Sequence, residues 1–233
     1  MNTSHTSWAV SWVGRCHRAL VSGRRVRILG ELLSSQIPRG ASTLDVGCGD
    51  GTIGSWIAQR RPDISIEGVE VAARPVCRIP CSTFDGTSLP FADGTFDGCL
   101  LVDVLHHTDD VTVLLREAAR VSRDFVLLKD HLCENSLDDA TLRFMDWIGN
   151  RPHGVRLTFN YQSRRAWMQH FADCGLVECN WTTDVPLYPA PFALAVGRGL
   201  HFVAFLRKCG PEEIPPGCVP SALLRTSSQD PEF

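Results

Sequence analysis

Leu44-Asp45-Val46-Gly47-Cys48-Gly49-Asp50-Gly51 is the stretch whose reading decides the fold. The apolar run from Thr43 to Val46 reads as a short buried strand, and it breaks into a turn with glycine at 47, 49 and 51. Glycine at such positions lets the backbone pass close to a ligand that a side chain would displace. The amides that open the following helix can then bind a carboxylate or phosphate. That helix runs through Gly54, Trp56, Ile57 and Ala58 until Pro62 and Asp63 break it, and Ile64 to Glu70 forms a second strand. Strand, Gly-rich turn, helix and strand in this order make a mononucleotide-binding unit.

Outward from this unit the alternation continues. Thr95 to Val102 predicts a strand, Val113 to Val121 a helix, and Asp124 to Lys129 another strand. Residues 136–149 have amphipathic helical spacing, and Ser163 caps a further helix that Gly175 ends. Strands follow at Leu176 to Thr182 and His201 to Arg207. The pattern predicts an α/β, doubly wound, mostly parallel sheet with helices on both faces. Residues 1–38 read as a helical lead-in, 132–162 as a lid, 1–208 as a single domain and 209–233 as a disordered tail.

Three features discriminate among nucleotide-bearing cofactors. Glu70 ends the second strand, where a carboxylate can accept both hydroxyls of a ribose. Thr52 stands where a dinucleotide fingerprint requires glycine. Asp45 precedes the first glycine by two positions; an acidic group there suits an ammonium and opposes a pyrophosphate. Charge therefore favours a cationic, amino-acid-bearing cofactor over NAD. A nucleotide-dependent oxidoreductase and a non-catalytic cofactor-binding scaffold stay open as alternatives.

The segment Leu44 to Gly51 resembles the first motif of class I S-adenosylmethionine-dependent methyltransferases. Phe84 to Asp97, with Asp85, Leu89-Pro90-Phe91 and Phe96-Asp97, is similar to a block of the ubiquinone/menaquinone-biosynthesis-like (type 11) superfamily. Val104-Leu105-His106-His107 and Leu115 to Val121 resemble its later blocks in the same order. The resemblance covers about residues 40–130 and implies a Rossmann-like, seven-stranded sheet with an antiparallel last strand. It implies S-adenosylmethionine as cofactor and S-adenosylhomocysteine as product; the aromatic residues of 132–162 and of the loop 185–199 suggest a small, partly hydrophobic organic acceptor, with the methylated atom (O, N or C) left open. Asp45, Gly47 and Gly49 would surround the methionine part, and Glu70 would hold the ribose. Asp85, with Gly86 beside it, would meet the adenine amino group, and Asp103 and Val104 would line the cofactor near its sulfonium. The chain departs from the family at 71–84, where Pro75 and Pro80 replace a full helix, and at Ser122-Arg123-Asp124, where a Pro-Gly-Gly turn is usual.

Ligands of a doubly wound sheet bind beyond the carboxyl ends of its strands. That rule points to Asp103, His106 and His107 after the fourth strand and to Asp130 and His131 after the fifth, with His107 and His131 as candidate general bases. Phe144, Trp147, Phe159, Tyr161, Trp167, Tyr188 and Phe192 are candidates for an apolar acceptor pocket, and Arg151, His153 and Arg156 for an acidic group on the acceptor. A net charge of −3 argues against nucleic acid as partner, and no apolar run is long enough to span a bilayer. The ten cysteines form no CxxC pair, so reduced thiols in a cytoplasmic protein are expected, with no metal site.

Overall fold

The computed structural model describes residues 23–72, 74–150, 158–189 and 199–208, with the side chains of 148–150 left aside. The lead-in before residue 23, the tail from 209, Arg151, His153, Arg156 and Phe192 lie outside the described residues. Helices are α1 (Gly23–Ser34), α2 (Thr52–Arg60), α3 (Val111–Val121), α4 (Ser136–Asn150) and α5 (Arg164–Asp173). Strands are β1 (Ser42–Val46), β2 (Ser65–Glu70), β3 (Cys81–Thr83), β4 (Phe96–Val102), β5 (Ser122–His131), β6 (Leu176–Thr182) and β7 (His201–Lys208).

One seven-stranded sheet takes the order β3-β2-β1-β4-β5-β7-β6. Its first five strands are parallel neighbours, and β7 inserts antiparallel between β5 and β6. The expected architecture is therefore observed, down to the antiparallel last strand. Two boundaries differ. β5 runs past its expected end at Lys129 through Asp130 and His131, because β7 pairs it as far as His131↔His201. β3 has no apolar run to announce it; all three residues are exposed, and it is held by pairing with Gly68 to Glu70 of β2.

Period-two alternation sends successive strand residues to opposite faces. Leu44 and Val46 of β1, Cys99 and Leu101 of β4, and Val126 and Leu128 of β5 pack with α3 and α5 through Leu114, Ala118, Trp167 and Phe171. Leu100, Phe125, Leu127 and Val203 face the other way, onto Leu29, Leu33 and Ile57 of α1 and α2. Each of these fully buried side chains contributes about 1.5–3 kcal/mol of transfer free energy. The alternation also positions the site, because Asp45, Lys129, His131 and His201 continue the α1/α2 face where the apolar residues stop. Asp130 falls on the opposite face.

Helix ends follow local chemistry. Asp110 caps α3, accepting from Thr112 N at 2.8 Å, and Ser163 caps α5, accepting from Ala166 N at 3.2 Å. Gly175 takes φ +67 just past α5.

Candidate active site

The glycine turn is built by close approach. A Cβ at Gly47, where φ is +68, would lie 2.7 Å from a methyl of Val104, so the turn and the segment after β4 touch only because residue 47 has no side chain. Gly47 N and Cys48 N both donate to Val69 O, at 2.8 and 3.1 Å. Glu70 completes the clamp: its Oε2 accepts from Gly49 N at 2.8 Å and its Oε1 from Val71 N at 2.9 Å.

Asp45 is 3% exposed at the end of β1. Burial and the nearby Glu70 push its carboxyl up to about 7, and among the described residues no donor offsets them. An unsatisfied, buried carboxylate beside an open turn is a receptor for a cation.

Past the turn, Asp85 sits exposed, with its Oδ1 accepting from Thr87 N (2.7 Å), Thr87 Oγ1 (2.9 Å) and Ser88 N (2.7 Å). Those three bonds hold its carboxyl below the usual range and leave Oδ2 for a ligand. Gly86 follows at φ +88. The blocks at 84–97 and 115–121 meet in space. Glu117 accepts from Leu89 N at 2.8 Å, while Arg120 donates to Phe91 O (2.8 Å), Leu89 O (3.0 Å) and Asp93 (2.8 Å). Asp97 ties down the start of β1 by accepting from Ser42 N and Oγ, each at 2.8 Å.

A cavity of about 510 Å³ opens at the carboxyl ends of β1, β4 and β5. Asp45, Gly47, Gly49, Asp103, His107 and His131 all line it; Glu70, Asp85, Gly86 and Val104 do not. Arg25 of α1, Met145 and Asp146 of α4, and Leu187 and Tyr188 close its sides. Phe144 and Trp147 are 60% and 49% exposed, so they form no pocket wall, and Trp167 is core beneath β7. The helix turns Met145 and Asp146 inward, where Tyr161 donates to Asp146 Oδ2 at 2.5 Å.

The floor of the cavity is a buried polar network. Asp130, fully buried, accepts from Leu105 N (3.1 Å), from His131 N (2.8 Å) and from His106 Nδ1 (2.7 Å). His131 Nδ1 also faces Asp130 Oδ1 at 3.3 Å, which leaves Nε2 as its remaining ring nitrogen. Burial, then His106 and Lys129, pulls the His131 imidazole below its ordinary value, so it is neutral at pH 7. Burial lowers His106 too, but Asp130 outweighs it and the net direction is upward. His107 stacks on His106 with ring centroids 4.0 Å apart, and burial pulls it to about 4.

Asp103 adopts φ +57, and Lys129 and Arg25 both bond its carboxylate. Burial alone would raise its carboxyl; those two cations hold it well below the ordinary value. Asp103, His106, Asp130 and His131 converge closely enough to share a metal ion, but Lys129 and Arg25 already neutralise Asp103. Asp109 and Asp110 do not join this group. Lys129, His201, Arg25, Asp146 and Tyr161 are site residues that strand patterning does not mark. The one available signal is Lys129 directly after the apolar run Phe125 to Leu128, a position that a two-sided sheet tolerates only with a buried partner.

The thiols also depart from expectation. Cys179 is disulfide-bonded, a pairing that sequence spacing does not reveal, while Cys48, Cys77, Cys81, Cys99, Cys133 and Cys174 are free.

The sheet order and the glycine turn define a doubly wound fold, a class whose ligands sit beyond the carboxyl ends of the strands. Residues 44–125 match the family model described as "Methyltransferase domain". An O-methyltransferase from Aspergillus nomiae, rstn1, is 35% identical over 114 residues, covering 43% of this chain and 49% of that protein. The methyltransferase GfsG of Streptomyces halstedii is 28% identical over 142 residues, covering 50% and 51%. The chain thus spans about half the length of the curated relatives it matches. Among solved structures, a Haloferax volcanii putative methyltransferase bound to the Trm112 activator covers 90% of this chain and 100% of its own, with TM-score 0.62 and 14% identity. That likeness is one of fold. No described helix is long and apolar enough to cross a membrane.

Proposed function

We propose that the chain transfers the methyl group of S-adenosylmethionine to a hydroxyl of a small organic acceptor. The observation that carries the reading is Asp45, a buried carboxylate at the glycine turn whose charge no described donor compensates. Asp45 would hold the ammonium of the cofactor, Gly47 and Gly49 would let its methionine part approach the backbone, and Glu70 and Asp85 would take the ribose hydroxyls and the adenine amino group. When bound, the cofactor supplies an electrophilic methyl on a sulfonium.

The residues of the chain supply alignment and a proton acceptor. His131, neutral and oriented by Asp130, would take the acceptor's hydroxyl proton on Nε2, freeing the oxygen for the methyl group that the cofactor would supply. Asp130 stabilises the imidazolium so formed. His107, held near 4 by burial, is the weaker base of the two candidates. Leu187, Tyr188 and Met145 give the acceptor an apolar side opposite the polar floor. The O-methyltransferase relative favours oxygen over nitrogen or carbon as the acceptor atom.

Calorimetric titration with S-adenosylmethionine, S-adenosylhomocysteine and NAD tests the cofactor. Binding of the first two and not of NAD is expected, with a large loss in Asp45→Ala; binding of NAD alone would refute the proposal. Transfer of labelled methyl to a panel of phenolic and aliphatic alcohols tests the acceptor class.

A further inference from the structure

Cys77 and Cys81 are near neighbours in sequence and Cys48 is remote from both, and the fold brings the three sulfurs within 4.8 Å of one another. Cys48 and Cys81 are 3.5 Å apart. The room they occupy is made by missing side chains. A Cβ at Gly68 would lie 2.5 Å from Cys48 Sγ, and one at Gly51 would lie 2.9 Å from Cys77 Sγ. One backbone bond joins the two cysteine-bearing segments, Arg78 N to Asp50 O at 2.9 Å, and a second, Gly68 N to Pro80 O at 2.7 Å, anchors the later one to β2.

From this geometry we infer that Cys48, Cys77 and Cys81 form a three-thiolate site for a soft, thiophilic metal ion of the zinc and cadmium type. Zinc–sulfur bonds of about 2.3 Å place tetrahedral ligands about 3.8 Å apart, so the 3.5 Å pair is already at ligand spacing. Rotation of half-buried Cys77 and exposed Cys81 about their Cα–Cβ bonds closes the rest. Exposure of Cys81 gives the ion a way in and leaves the fourth coordination position to solvent. Asp45 and Glu70 lie close enough to oppose thiolate charge, which a cation relieves. Arg78, the nearest cation in sequence, points instead toward Asp50, 4.0 Å away.

The bound ion ties the glycine turn to the connection 71–84, where family members fit a helix and this chain has two prolines. It is a clip that stabilises the short connection, and it is independent of the methyl-transfer reading.

Titration of the chain with Cd²⁺, its free thiols kept reduced and the Cys179 disulfide intact, is the test. One equivalent should bind with thiolate-to-cadmium charge-transfer absorption and proton release. At a hundredfold excess over Kd it should raise Tm by about 5–10 °C. Cys77→Ser and Cys81→Ser should each lose the absorption and the Tm shift, and Cys133→Ser should keep both. Cys81 is exposed on an edge strand, so its variant folds even if Cys77→Ser does not. Absence of the absorption in the wild-type chain with its free thiols reduced, or its survival in Cys81→Ser, would overturn the site.

Discussion

Replacing Asp45 by asparagine removes a charge that the fold holds at a cost, and the size of that cost follows from the site. Burial against β4 and α2, with Glu70 beside it, moves the carboxyl from its ordinary 3.8 to about 7. A carboxyl raised on folding binds its proton more tightly in the native state, so stability from this group falls as pH rises between the two values and is flat outside them. Each pH unit in that interval is worth about 1.4 kcal/mol, which makes the full penalty about 4 kcal/mol above pH 7. Between pH 5.5 and 8.5 the wild-type chain should lose about 2 kcal/mol from Asp45 alone, or about 4–8 °C in Tm. Asp45→Asn should not. Any cost of the buried carboxamide is independent of pH, and other titrating groups are common to both proteins, so the difference between the two Tm profiles isolates Asp45. Parallel profiles from pH 5.5 to 8.5 would refute the buried-charge account.

If Asp45 holds the cofactor as proposed, S-adenosylmethionine should bind more tightly to the wild type as pH rises from 5.5 to 7, and calorimetry should find that slope gone in Asp45→Asn. Gly47→Ala forces a Cβ to 2.7 Å from Val104 at φ +68. It should cost about 1–3 kcal/mol in denaturant unfolding, whereas Gly49→Ala, with open space and only the positive φ, should cost about 1–2 kcal/mol. His131→Asn should lower kcat by about 10²–10⁴ with cofactor affinity unchanged. Because burial lowers His131, the wild-type kcat should fall only on acidification below its ordinary value of 6.5, and this limb should vanish in the variant.

Periodicity and punctuation made most of the fold legible. The turn at 47–51, the strands around Leu100 and Leu127 and the cap at Ser163 are each written in local chemistry. Elements stabilised only by a distant partner were not. β3 has three exposed residues and exists through its register with β2. Lys129 to His131 look like the polar end of a strand until β7 pairs them. Between His106 and His107, adjacent and chemically identical, the ring that meets Asp130 is chosen by the 3₁₀ turn Leu105–His107, which sequence does not specify. Phe144 and Trp147 have the spacing of a buried face, yet α4 turns them outward and puts Met145 and Asp146 on the cavity. The three clustered thiols are invisible until Gly68 stands beside Cys81.

The insertion of β7 between β5 and β6 also sets an order of events during synthesis. Phe125 to His131 must wait for Arg207 to His201 before their second neighbour exists. A nascent chain that has emerged only as far as α4 therefore presents an open strand edge, with Lys129 still lacking His201. Contacts this remote in sequence close slowly, and truncation upstream of His201 should yield a species that associates through that edge rather than a smaller folded enzyme.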